Sequence, residues 1–133
     1  MKVFFVLQLL FASLFISCNS KNAKNTLKLT SIQYVDTLYN LGNCIEGDTL
    51  HFYVKYKNAG KNPLQINFSQ GACDCTQPYF NKRLLKPNKI DSIFVDFYSI
   101  HQVGDYRGTV VISANTTPTI TQIFFTANVI AKK

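Results

Sequence analysis

The sequence predicts an all-β protein, an antiparallel β-sandwich of about seven strands. Three observations carry that reading. From residue 26 onward apolar residues alternate with polar ones in run after run, the period of half-buried strands, and no stretch keeps a helical period. Gly, Asn, Asp and Pro cluster between the runs, where turns need them. Charged residues make up only 16% of the chain, while Thr, Asn, Ile and Val are common, which suits strands over helices.

The elements follow in order. Leu27 to Leu38 supplies the first strand, with a break before it pairs again. Gly42-Asn43-Cys44-Ile45-Glu46-Gly47 reads as a turn. Leu50, Phe52, Val54 and Tyr56 then alternate with His51, Tyr53, Lys55 and Lys57. Asn58-Ala59-Gly60-Lys61-Asn62-Pro63 is a turn in which Gly60 is expected at positive φ. Leu64, Ile66 and Phe68 share one face of the next strand. Pro87-Asn88 marks another turn, Asn being the next best residue for positive φ. Ile93, Val95 and Phe97 alternate with Phe94, Asp96 and Tyr98. After Gly104-Asp105-Tyr106-Arg107-Gly108 come Val110, Ile112 and Ala114. A final run from Thr119 to Ala131 sets Ile123, Phe125, Ala127 and Val129 on one face.

One apolar face per strand implies two sheets over one core, with Phe52, Val54, Ile66, Val95, Phe97, Ile112 and Phe125 inside. The strand count and length fit an immunoglobulin-like sandwich of about 100 residues. No linker, repeat or low-complexity tract follows Asn25. Residues 26–133 therefore read as one domain that folds alone as a monomer.

The start of the chain has another character. Lys2 precedes an apolar run of about 14 residues, Val3 to Ile16, short of the ~20 that a spanning helix needs and typical of a secretory signal. Phe15-Ile16-Ser17-Cys18 resembles a bacterial lipobox, which makes Cys18 the expected lipidation site and new N-terminus. Residues 1–17 are then a signal peptide and residues 18–25 a lipidated Cys with a polar tether. A signal cleaved elsewhere is the competing reading. Asn19 is not the Asp that resembles an inner-membrane retention signal, and the acidic residues of a surface-export signal are missing after Cys18. The expected place is the periplasmic face of the outer membrane, held by lipid.

The chain carries 14 Lys+Arg against 7 Asp+Glu. Lys21, Lys24, Lys28, Lys132 and Lys133 sit near its two ends, where basic residues meet anionic headgroups. No element clusters Lys and Arg with interleaved aromatics, so nucleic acid is not an expected partner.

The stretch Phe52 to Asn115 resembles the family called domain of unknown function 1573, common in envelope proteins of Bacteroidetes. The residues that carry the likeness are Asn58-Ala59-Gly60-Lys61-Asn62-Pro63-Leu64-Gln65-Ile66 and Cys73-Asp74-Cys75-Thr76-Gln77-Pro78, with Asp74 in place of the family's Gly. Pro87-Asn88 stands where the family has Pro-Gly. Ile93-Phe94-Val95-Asp96-Phe97, and Gly104-Asp105-Tyr106 leading to Val110 and Asn115, fill the late pattern. The resemblance spans roughly residues 34–130. It implies an Ig-like fold close to pilus-chaperone and cilium-associated modules, and it implies no enzyme activity.

Cys73 and Cys75 form the one constellation with chemical potential. In an extended strand their Cα atoms would lie about 6.7 Å apart, whereas a relaxed disulfide wants about 5.5–6 Å. A bond between them needs a bent backbone, which Gly71 and Pro78 make possible. Three readings stand. The pair closes a loop as a local disulfide or as two small buried residues. It works as a redox pair, against which Asp74 would raise a thiolate pKa. Or its thiolates hold Cu(I) or Zn, although no His lies nearby in sequence. Cys44 is a third ligand, a disulfide partner or a lone exposed thiol.

Other chemistry finds no support. No Gly-rich phosphate loop or Gly-x-Ser-x-Gly elbow is present. Asp91 and Asp96 fall on opposite faces of a strand and cannot act as an acid/base pair. His51 and His101 are isolated. Tyr106 is expected at the core edge, its hydroxyl closing a corner between strands. No catalytic residue, metal site or cofactor is therefore expected. The expected function is a non-enzymatic, lipid-anchored envelope module that binds or assembles a protein partner through a sheet edge. The alternative is thiol redox or metal handling by Cys73-x-Cys75.

Overall fold

The computed structural model describes residues 27–133. The lipidation expected at Cys18, the signal peptide over 1–17 and the tether over 18–25 lie outside the described residues. Eight strands form: β1 (Ile32–Tyr34), β2 (Leu38–Ile45), β3 (Thr49–Asn58), β4 (Ile66–Gly71), β5 (Thr76–Tyr79), β6 (Ile90–Tyr98), β7 (Gly104–Ala114) and β8 (Ile120–Ile130). They make two four-stranded sheets, β1-β3-β6-β5 and β2-β8-β7-β4. The all-β sandwich of the sequence reading is thus present, with corrections in its details.

The first correction concerns direction. β1 pairs antiparallel with β3, yet β2 pairs parallel with β8. The chain crosses between sheets at Val35–Thr37, and the Phe124 amide donates to the Thr37 carbonyl at 2.9 Å where the second ladder begins. Because the chain changes sheet without reversing, it is antiparallel to one neighbour and parallel to the other. The single first strand expected over Leu27 to Leu38 is therefore two edge strands. A further short strand, β5, follows the cysteine pair, where the sequence reading had only a loop.

The second correction moves Cys44. It lies near the end of β2, opposite Val129, and is buried. The ladder shifts register between Asn40 and Asn43, with Gly42 at φ 74°, but the chain does not turn back there. It turns at Glu46–Gly47, where the Ile45 amide donates to Asp48 Oδ2 at 2.9 Å. An exposed Cys44 thiol is excluded.

The third correction concerns Phe68. Leu64 and Ile66 are buried, but Phe68 is 44% exposed. Two residues of β4, Ile66 to Phe68, face one step of β7, Ala114 to Ser113. The extra residue flips the alternation, sends Phe68 outward and turns Ser69 inward.

The expected core residues are all buried: Phe52, Val54, Ile66, Val95, Phe97, Ile112 and Phe125. Full burial of such side chains stabilises by about 1.5–3 kcal/mol each. A file of aromatic rings joins the sheets. Tyr39 packs on Phe52 at 5.1 Å, Phe52 on Phe125 at 5.1 Å, Phe125 on Phe97 at 5.3 Å and Phe97 on Tyr106 at 4.5 Å. Gly108 makes room for this file, since a Cβ there would collide with the Phe125 ring.

The turn after β3 is held by Asn58, which is fully buried. Its Nδ2 donates to the carbonyls of Asn62 at 2.9 Å and Leu85 at 2.8 Å. Its Oδ1 accepts from Thr30 Oγ1 at 3.0 Å and the Gly60 amide at 3.1 Å. Gly60 is not among the residues at positive φ; Asn88, at φ 62°, is. Gly60 is needed instead for close approach, because a Cβ would strike the Thr30 side chain and the Ser31 backbone.

Candidate functional site

β4 and β5 are edge strands of different sheets, and the loop Ala72–Cys75 joins them across the open side of the sandwich. Each end of the loop is tied to its own sheet. The Ala72 amide donates to the Thr109 carbonyl at 3.0 Å, and the Tyr98 amide donates to the Cys75 carbonyl at 2.8 Å. The Thr76 amide donates to the Cys73 carbonyl at 3.1 Å and closes a tight turn. The Cα atoms of Cys73 and Cys75 are 5.2 Å apart, well short of the extended spacing, and a disulfide joins them. Gly71 permits the bend, since a Cβ there would collide with the backbone of Thr76.

Two hydroxyls face the sulfurs. Tyr106 OH lies 3.0 Å from Cys75 Sγ and 3.2 Å from Cys73 Sγ. Thr76 Oγ1 lies 3.8 Å from each. A hydroxyl donates only weakly to a disulfide sulfur, but a thiolate accepts well. Cys73 is exposed and Cys75 half-buried, so an incoming thiol has access to one sulfur.

Beside the loop lies a small polar pocket of about 190 Å³, lined in part by Ser69, Gly71, Cys73, Asp74 and Thr76. Ser69 Oγ is buried and has no hydrogen-bond partner among the described residues. Burying an unsatisfied hydroxyl costs about 1–3 kcal/mol.

The other residues singled out in the sequence do not join this site. Cys44 sits on β2, at the opposite edge of the second sheet from β4. Three strand spacings separate them, about 14 Å, so Cys44 is neither a disulfide partner nor a third ligand for the pair. Asp91 pairs with Arg83 at 3.3 Å, and Asp96 with His51 at 2.6 Å, on opposite faces of β6. His101 is exposed, at 3.9 Å from Glu46. Among the described residues no group of three or more His, Cys, Asp or Glu is placed to hold a metal ion. The sequence reading set Tyr106 at a corner but missed its contact with both sulfurs. It also missed Ser69, because a bulge alone turned that residue inward.

Fold and seam together define a small two-sheet sandwich of the immunoglobulin and PapD-like kind, with a loop disulfide between two free edges. The chain belongs to the family described as "Protein of unknown function (DUF1573)", whose model matches residues 32–129. No curated protein matches the chain. It is similar to a protein of unknown function from Porphyromonas gingivalis, with a TM-score of 0.68 and 13% identity over 82% of this chain and 51% of that one. The chain thus spans about half the length of that protein. It is also similar to the ASH/PapD-like domain of human CEP192, with a TM-score of 0.58 and 12% identity over 79% and 89% of the two chains. A third likeness is to the YadV chaperone, with a TM-score of 0.51 and 14% identity over 73% and 51%. At these identities the likeness concerns the fold.

Proposed function

We propose that this protein is a non-enzymatic binding module of the cell envelope, anchored by lipid at Cys18 on the periplasmic face of the outer membrane. It engages an extended segment of a protein partner along the edge of β4. The observation that carries this reading is the unpartnered Ser69 hydroxyl in the open seam beside that edge. β1 has only three residues and β5 carries Pro78, which guards those two edges; β2 and β4 each carry a register shift, and it is beside β4 that the polar pocket lies. A strand added to β4 would gain backbone hydrogen bonds and set a polar side chain against Ser69. The PapD-like and chaperone-like fold supports the same reading.

Two experiments test it. Cys18→Ser should leave the protein soluble or unprocessed on fractionation; a fully processed form in the detergent phase would remove the anchor. Ser69→Pro, at a position whose amide points away from β7, should abolish partner capture in a domain that stays folded. Capture undiminished in a folded Ser69→Pro variant would remove the edge.

A further inference from the structure

The outer face of the first sheet carries a second arrangement, remote from the β4 edge. Tyr53 on β3, Phe94 on β6 and Tyr79 on β5 stand in register, one beside the next across three strands. Their ring centroids are 5.1 Å and 6.0 Å apart, with Phe94 tilted by 48° to Tyr53 and 32° to Tyr79. Tyr53 is 54% exposed and Tyr79 52%. Cross-strand aromatic pairs stabilise a sheet whether buried or not. Two half-exposed tyrosines on the solvent side of three strands also leave a strip of π-face open to a ligand.

The adjacent row is polar and equally in register: His51, Asp96 and Gln77. His51 Nδ1 lies 2.6 Å from Asp96 Oδ1, and the His51 ring stacks on Phe94 at 5.5 Å with a 19° tilt. Asp96 is thereby fixed from one side, and the Tyr98 hydroxyl stands close to both it and Tyr79. The Gln77 amide supplies a donor and an acceptor, although its nitrogen already reaches the Asp74 carbonyl at 3.1 Å. The Asp96 carboxylate is offset by Lys55, which stands on the same face of β3 as His51. Such a face selects neither a strongly anionic nor a strongly cationic ligand. It combines stacking surface with a line of hydrogen-bonding groups of both senses, which matches a neutral polyhydroxyl ring with an apolar C–H face. Tyr53 and Tyr79 lie two strand spacings apart, about 9–10 Å, close to the repeat of a β-linked disaccharide.

We infer that this face is a binding site for a β-linked, uncharged pyranose glycan, stacked on Tyr53 and Tyr79 and hydrogen-bonded by Asp96 and Gln77. The site is independent of the β4 edge and of the anchor. The test is titration of the domain with chitohexaose, cellohexaose and laminarihexaose, followed by calorimetry and by two-dimensional NMR. At least one probe should bind saturably and shift the resonances of Tyr53, Phe94, Tyr79 and His51. Tyr53→Ala and Tyr79→Ala should each weaken that binding about tenfold, while Tyr53→Phe retains most of it. Absence of saturable binding with all three probes overturns the inference. So do shifts confined to another face, or binding that survives both alanine variants.

Discussion

The Tyr106 hydroxyl lies 3.0 Å from Cys75 Sγ and 3.2 Å from Cys73 Sγ, while its ring stacks on Phe97 at 4.5 Å. One residue thus joins the core to the loop disulfide. The ring belongs to the fold, and the hydroxyl sits against the sulfurs of the loop. Tyr106→Phe should keep the stack and lower stability by about 0.5–1.5 kcal/mol. The reduced loop loses a donor to its thiolate, so reduction by a given thiol should become less favourable. Redox titration of wild type and variant checks this; an unchanged midpoint would mean that the hydroxyl does not sense the sulfurs.

The disulfide itself should matter little to the fold. It closes a ring of three residues, and neither cysteine is among the buried core residues, though Cys75 packs against their edge. Cys73→Ser/Cys75→Ser should unfold cooperatively in urea with a loss below about 2 kcal/mol. Collapse of the domain in this variant would make the pair a structural staple.

Asn58 should be far more costly. All of its hydrogen-bonding capacity toward Asn62, Leu85, Thr30 and Gly60 is used inside the protein. Asn58→Ala leaves buried carbonyls and an amide without partners, and a loss of about 2–4 kcal/mol is expected. Equilibrium unfolding measures it, and a loss below 1 kcal/mol would show that water replaces the side chain.

Gly60→Ala should destabilise by about 1–3 kcal/mol through overpacking against Thr30 and Ser31. Thr30→Ala, which removes the hydroxyl from the collision, should relieve part of that loss in the double variant. Full additivity of the two changes would contradict the contact.

Alkaline pH should weaken the fold. Burial raises the pKa of Tyr56 above its ordinary value near 10, with Asp91 and Tyr34 adding to the effect, and burial raises Tyr34 as well. Above pH 10 the unfolded chain loses these protons while the folded one keeps them. Stability therefore falls as pH rises beyond about 10. Urea midpoints that stay level from pH 9 to 11.5 would contradict the burial of these hydroxyls.

Much of this architecture is written in local alternation. Val54, Val95, Ile112 and Phe125 announce their side because each strand has one buried face, and the structure keeps them there. Positive φ at Asn88 is legible for a similar local reason. What escaped the sequence depends on residues far apart along the chain. The bulge that exposes Phe68 arises from its register with β7, and the parallel pairing of β2 from a change of sheet at Val35–Thr37. Gly60 looked like a turn glycine, but its partner in space is Thr30. At the seam, Cys73-x-Cys75 was visible as a motif. Tyr106 and Ser69 were not part of it, because they reach it only through the packing of β7 and the β4 bulge.

The proposed role requires that β4 receive a partner strand. A photo-crosslinking amino acid at Gln70, on the β4 edge, and one at Asn43, on the opposite edge, measure it most directly in intact envelopes. One discrete adduct is expected from Gln70, lost when Ser69→Pro is added, and none from Asn43. Equal adducts from both positions, or a Gln70 adduct that survives Ser69→Pro in a folded protein, would contradict it.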